Sequence, residues 1–185
     1  MCSRALKSGG LMNLNKNTES EDVGKHEENS LEELFVMYQN PIYRFVYRYC
    51  QDEQLSMDIV QDTFVRFHKY RRRFDGTKSS IKTYLFRMAY QLMINRLKKR
   101  SRWRKLLPFL YEENVKQEFP LEEKLTVQVA IQQLSDQQRA VILLTYYHDL
   151  TQKEIANILE IPIGTVKSRL QASLKNLKGI LEVDE

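Results

Sequence analysis

"LTQKEIANILEIPIGTVKSRLQ", residues 150–171, reads as two short helices around a tight turn. Thr151 begins the first, with Glu154 three residues on. At that spacing a hydroxyl caps the N3 amide and a carboxylate returns the bond. Leu150 and Ile155 occupy the flanking apolar positions that staple such a start. Ile155, Ala156 and Leu159 face inward, and Ala156 is small enough for a close helix crossing. The chain turns at Glu160 and Ile161. Pro162 suits the first turn of the second helix, where a missing N–H costs little. On that helix Val166 and Leu170 point to the core, with Leu174 and Leu177 continuing the stripe. Thr165, Lys167, Ser168, Arg169 and Gln171 are left outside. This is the layout of a helix-turn-helix, whose second helix offers its N-terminal residues to the major groove of DNA. Hydroxyls and lysine suit phosphates, and Arg or Lys also reads guanine edges. An ordinary basic surface helix shares part of this pattern, so the rest of the chain has to decide.

Upstream the chain is helical in pattern throughout. Leu31, Leu34, Phe35, Tyr38, Ile42, Phe45, Val46 and Tyr49 line one helical face, which Pro41 is expected to bend or interrupt. A second helix starts near Ser56. Ile59, Val60, Thr63, Phe64 and Phe67 lie inside, and Asp58, Gln61, Asp62, Arg66 and Lys69 outside. "YRRRFDGTKSS", residues 70–80, turns at Asp75 and Gly76. A third helix is expected over about 81–100, with Leu85, Met88, Ala89 and Leu92 inward and Arg87, Gln91, Asn95 and Lys98 opposite. It runs into "RLKKRSRWRK", residues 96–105, where cations and aromatic rings alternate.

Composition bounds the rest. The chain has 185 residues, 42% hydrophobic and 29% charged, with a net charge of +5. That charge allows an anionic partner without requiring one. Only 6 Gly and 4 Pro argue against a turn-rich β fold. Cys2 and Cys50 have no metal-type spacing, which fits a reducing cytosol. No run approaches the roughly 18 apolar residues of a membrane helix, and no signal peptide is evident. A cytoplasmic protein without membrane insertion, cofactor or metal is expected. Residues 1–29 are polar and aperiodic and are expected to be disordered, with Met12 an alternative natural start. Residues 30–105 form the first domain. Residues 106–120, bracketed by Pro108 and Pro120, form a flexible linker, and residues 121–185 the second domain. Leu125, Val129 and Leu134 belong to that domain's first helix. Ser135 with Gln138 caps the next, which carries Val141, Leu144 and Tyr147. The expected fold is all-α, two small helical domains on a flexible link.

Together "DIVQDTFVRF" (58–67), "TYLFRMAYQLMINRLKK" (83–99) and "EIANILEIPIGTVKSRL" (154–170) resemble a bacterial sigma factor of the extracytoplasmic-function (ECF) group. The resemblance runs from about Leu31 to Leu181. It implies a region 2 domain followed by a region 4 domain. Asp58, Gln61 and Asp62 would dock on the β′ clamp helices of core RNA polymerase, although they also fit an ordinary solvated face. The second domain would meet the β flap. The loop from Asp75 to Ser80, with Lys78, and the next helix would melt and read the minus-ten element of promoter DNA. There Arg87, Tyr90, Gln91 and Asn95 would meet bases, and Lys98, Lys99 and Arg100 phosphates. Tyr84 suits core packing better. Thr165, Lys167, Ser168, Arg169 and Gln171 would read the minus-thirty-five element. The two readers would become useful when polymerase fixes their separation, and an anti-sigma factor is an expected partner.

Departures from the family's pattern are Tyr84 for a frequent Trp, Gln91 for Asn, Ala172 for a basic residue and Glu160 for Gly. Two rivals make different demands. A free-standing helix-turn-helix regulator needs a dimer seam and binds a duplex palindrome without polymerase. A helical nuclease would use Asp58 and Asp62 as metal ligands and needs a further acidic or histidine cluster. His26, His68 and His148 are scattered and are expected at the surface or in packing.

Overall fold

Ser30 opens the first helix through a two-way cap. Its Oγ accepts from the Glu33 amide at 3.1 Å, and the Ser30 amide donates to Glu33 Oε2 at 2.9 Å. The computed structural model describes residues 30–106 and 127–182. The expected disordered segment 1–29, the linker from 107 to 120, the opening of the second domain and Leu125 lie outside them.

Helix α1, Leu31–Cys50, passes through Pro41 without interruption. The proline leaves the Met37 carbonyl without its usual donor, but Met37 is exposed and water can serve it. Leu34 before the proline and Ile42, Phe45, Val46 and Tyr49 after it are buried, so one apolar face holds both halves. Gln51, at φ 53°, reverses the chain within two residues. Asp52 Oδ1 then accepts from the Leu55 amide at 2.9 Å and starts α2, Glu53–Tyr70. A single 3-10 turn follows at Arg71–Arg73. Helix α3 spans Ile81–Leu106, six residues beyond the expected end at 100. Nothing in "SRWRKL" breaks a helix, and its last turns carry cations that favour the negative helix end. Ile59, Phe64 and Phe67 of α2 and Leu85, Phe86, Ala89 and Met93 of α3 fill the space between these two helices and α1. Ser56 and Thr63, also buried, donate to the carbonyls of Asp52 and Ile59 one turn back, at 2.6 and 2.7 Å.

The second unit contains α4 (Val127–Gln133), α5 (Asp136–Tyr146), α6 (Gln152–Leu159) and α7 (Ile163–Glu182). Ala140, Leu143, Leu144, Leu150, Ile155, Ile158 and Val166 form its core. Ser173 is buried on α7 and donates to the Arg169 carbonyl at 2.6 Å, while Leu174, expected inside, is exposed. Tyr147, expected on the inner stripe of α5, caps its end and lies under the Arg48 guanidinium, 4.5 Å from the ring centre. No strand occurs among the described residues.

The two units are packed together rather than held apart. Helix α6 lies along α3, and α5 meets α1. Arg139 anchors the join. Its guanidinium donates to the carbonyl of Tyr49 at 2.9 Å and to those of Ile131, Gln132 and Leu134 at the end of α4. The Tyr49 hydroxyl returns a bond to the Asp136 carbonyl at 3.2 Å. His148 is buried, its ring centre 5.7 Å from that of Phe45 and 4.9 Å from that of Phe86.

Candidate nucleic-acid and polymerase interfaces

The loop between α2 and α3 is organised by Asp75. Its Oδ1 accepts from the amide and hydroxyl of Thr77 at 3.0 and 2.6 Å, and Oδ2 pairs with Lys78 at 3.1 Å. These bonds, led by the Thr77 hydroxyl, hold the carboxyl below its usual pKa. Lys78 keeps most of its surface in solvent.

Beside this loop lie two neighbouring cavities. One, of about 210 Å³, is lined by Arg73, Asp75, Lys78, Ser79, Thr83, Tyr84, Arg87 and Asn157. The other, of about 330 Å³, is lined by Arg66, Tyr70, Arg73, Tyr84, Arg87, Met88, Gln91 and Glu160. Tyr84 is wedged against Phe74 and Phe67, with ring centres 5.2 and 6.2 Å away, and Arg87 stands 5.2 Å from its centre. Arg73 covers Tyr70 at 4.9 Å. Aromatic faces with guanidinium neighbours suit unpaired bases and their phosphates.

The structure therefore brings Lys78, Arg87 and Gln91 to one place. Tyr90 is half-buried against Tyr49, with ring centres 6.5 Å apart, and lines neither cavity. Asn95, Lys98, Lys99 and Arg100 are exposed further along α3. Arg100 donates to Asp52 at 2.8 Å, and Lys98 borders a separate groove with Ile94, Leu97 and Asp136. Arg66, Tyr70 and Arg73 are cavity residues that the sequence reading did not single out. Tyrosine followed by three arginines was the available signal, and it becomes legible once the end of α2 packs beside α3.

Asp58 and Asp62, one turn apart on α2, share one partner. Arg96 of α3 bonds to Asp58 Oδ2 at 3.3 Å and also to Asp62 Oδ2. Asp58 accepts as well from Gln54 at 3.1 Å, and Gln61 is exposed. The acidic face is thus held in shape by a cation and still borders solvent.

In the second unit, Thr151 and Glu154 form the expected cap. The Thr151 amide donates to Glu154 Oε2 at 2.9 Å, and the Glu154 amide donates to Thr151 Oγ1 at 3.3 Å. Glu160 takes φ 55° at the turn, and Pro162, expected in the first turn of α7, precedes it by one residue and accepts from the Val166 amide at 3.2 Å. Val166 is buried, and Lys167, Ser168 and Gln171 point outward. Thr165 and Arg169 are half-buried. Burial pushes the Tyr90 phenol pKa up, and the nearby Arg169 charge pulls against it.

Among the described residues, an all-helical fold carries a cavity-bearing basic face and a helix-turn-helix, the two parts of a nucleic-acid reader. Residues 34–103 match the sigma-70 region 2 family and residues 124–177 the sigma-70 region 4 family. The chain is 29% identical to the ECF RNA polymerase sigma factor SigW of Bacillus subtilis (strain 168), covering 84% of this chain and 91% of that one. It is 27% identical to SigM of the same organism, over 82% and 94% of the two chains. In fold it is similar to the sigma factor RpoE in complex with the anti-sigma factor NepR from Bartonella quintana. The TM-score there is 0.69 at 23% identity, covering 83% of this chain and 98% of that one. The chain belongs to the sigma-70 family, in its ECF group.

Proposed function

We propose that this protein is an alternative sigma factor that binds core RNA polymerase and directs promoter-specific initiation by recognising and melting promoter DNA. The observation that carries the reading is the order of its two faces: a region 2 face with paired cavities, then a region 4 helix-turn-helix. The α2 acids Asp58 and Asp62, with Gln61, meet the polymerase clamp. The shared Arg96 fixes where those charges stand, and it also argues against a nuclease, because a metal ion would have to displace a guanidinium.

Flipped bases of the minus-ten strand enter the cavities over Tyr84 and Tyr70, where Gln91 offers hydrogen bonds and Arg87 and Arg73 hold phosphates. Capturing those bases offsets the few kcal/mol, roughly, that unstacking costs. Asn95, Lys98, Lys99 and Arg100 follow the strand away along α3, with Arg100 exchanging Asp52 for phosphate. Tyr90 acts as a packing support. In the second unit Lys167, Ser168 and Gln171 meet the duplex of the minus-thirty-five element, and Thr165 and Arg169 complete that contact once the units separate. Each unit alone neutralises few phosphates and binds weakly. Polymerase contacts on the clamp and the flap make the second DNA contact intramolecular.

The chain performs no bond chemistry of its own; nucleotide addition belongs to polymerase. It works in the bacterial cytoplasm, and an anti-sigma factor restrains it, as NepR stands in complex with RpoE. The test mixes purified protein with core polymerase and a promoter library and sequences the transcripts. Promoter-specific starts above core enzyme alone are expected. Their absence overturns the assignment.

A further inference from the structure

We propose that the docked arrangement of the two units is a self-masked state, in which α6 and the turn after it occupy the promoter-melting cleft of α3. This regulation rests on the sigma-factor reading of that cleft.

Each cavity owes part of its wall to the second unit: Asn157 closes one and Glu160 the other. Glu160 Oε1 accepts from Gln91 Nε2 at 2.8 Å, so the amide assigned to a base is already spent on a carboxylate. That carboxylate enters a cavity whose other walls carry Arg66, Arg73 and Arg87. It supplies the negative charge that a phosphate of the melted strand would bring. Glu160 also sits at φ 55°, a backbone conformation that glycine adopts at less cost.

Two further bonds fasten α6 and the loop before it to the start of α3. Lys82 Nζ donates to the His148 carbonyl at 2.7 Å, and Thr83 Oγ1 donates to Glu154 Oε1 at 3.1 Å. The Glu154 carboxylate therefore serves its own helix cap and the join at once. DNA cannot enter the cleft while α6 covers it, so strand binding and docking compete for one surface.

The decisive variant is Lys82→Ala with Thr83→Val. It cuts both bonds, leaves the second unit untouched and removes one positive charge. Fluorescence anisotropy with a labelled random-sequence single-stranded 20-mer reads DNA binding by the full chain alone, and small-angle X-ray scattering reads its radius of gyration. If charge alone governs binding, the variant binds more weakly. Self-masking predicts the opposite: a larger radius and about three- to tenfold tighter single-strand binding, the scale of one or two lost hydrogen bonds.

A larger radius with weaker or unchanged binding overturns the proposal, and so does an unchanged radius with unchanged binding. Glu160→Gly, which frees Gln91 and relaxes the turn, is expected to shift both readings the same way. Promoter-specific initiation by the wild-type protein, assayed in parallel, tests the sigma-factor reading separately. If initiation succeeds while opening leaves strand binding unimproved, the masking fails and the function stands.

Discussion

The two surfaces we propose for DNA are built on opposite principles. The second unit presents a protruding helix: Lys167, Ser168 and Gln171 stand in solvent, while Val166 and Ser173 root the helix beneath them. The first unit presents hollows: Tyr84, Arg87 and Gln91 are half-buried around two cavities. A duplex groove is met by a convex element, and single bases are met by concave ones. The difference has a consequence for control. The protruding helix keeps Lys167, Ser168 and Gln171 in solvent even while Thr165 and Arg169 are half-buried, whereas a hollow can be filled by a neighbouring element, here α6.

The largest effect that would sharpen this contrast is expected at Arg169. Changing it to Ala should weaken binding to the upstream promoter element by about 10- to 100-fold, the range for one lost bidentate base contact. Affinity for core polymerase should not change, as competition binding would show. An equal loss of both would mean that the helix does not read duplex DNA, and the contrast between the two faces would fail.

The next effect concerns the hollow side. His148 is kept neutral by burial first, and then by the charges of Arg48, Lys82 and Arg44; only Asp149 opposes them. Its pKa falls to about 4, from an ordinary 6.5. Three of these cations belong to the first unit, so undocking should restore the ordinary value. The undocked state then binds more protons between pH 6.5 and 4. Docking is therefore fully favoured above pH 6.5 and is lost progressively as the pH falls toward 4. Moving from pH 7.5 to 5.5 should weaken docking about tenfold, one pH unit below the undocked pKa. Scattering at the two pH values checks this, with His148→Gln as the variant expected to lose the dependence. A pH-independent radius in both proteins would show that this ring does not report on the join.

The smallest effect is expected on the acidic face of α2. Arg96 and its two aspartates are each more than a third exposed. Arg96→Ala should cost less than about 1 kcal/mol in urea unfolding, as exposed ion pairs do. The same change should lower polymerase affinity several-fold, because Asp58 and Asp62 would lose the cation that sets their positions. A large stability loss with unaltered polymerase binding would make this face structural and remove it from the functional comparison.

Much of this is legible in the sequence wherever the governing interaction is local. The Thr151–Glu154 and Ser135–Gln138 caps involve residues three apart, and the structure contains both. The inner face of α2 and most of those of α1 and α3 follow from helical periodicity, but Phe35, expected inside α1, is exposed at the rim and meets Phe64 edge-on. Misreadings arose where a local preference met a stronger tertiary one. Pro41 has the intrinsic tendency to break α1, yet a continuous apolar face on both sides keeps the helix whole. Leucine at 174 outranks serine at 173 in hydrophobicity, but the face of α7 that packs on its neighbours carries the serine. The site was divided in the same way. The outward residues of α7 could be read from one helix, whereas Arg66, Tyr70 and Arg73 joined Arg87 and Gln91 only through the packing of α2 and the turn after it against α3.

By itself, then, the sequence determined the helices, their caps, their inner faces and the family's two reading units, because periodicity and capping act within a few residues. Only the tertiary structure decided that α6 lies on α3, that His148 enters the aromatic core of the first unit and that Glu160 meets Gln91. Those contacts join residues far apart in sequence, Gln91 and Glu160 by 69 positions, and no local rule encodes which of two compatible surfaces will meet.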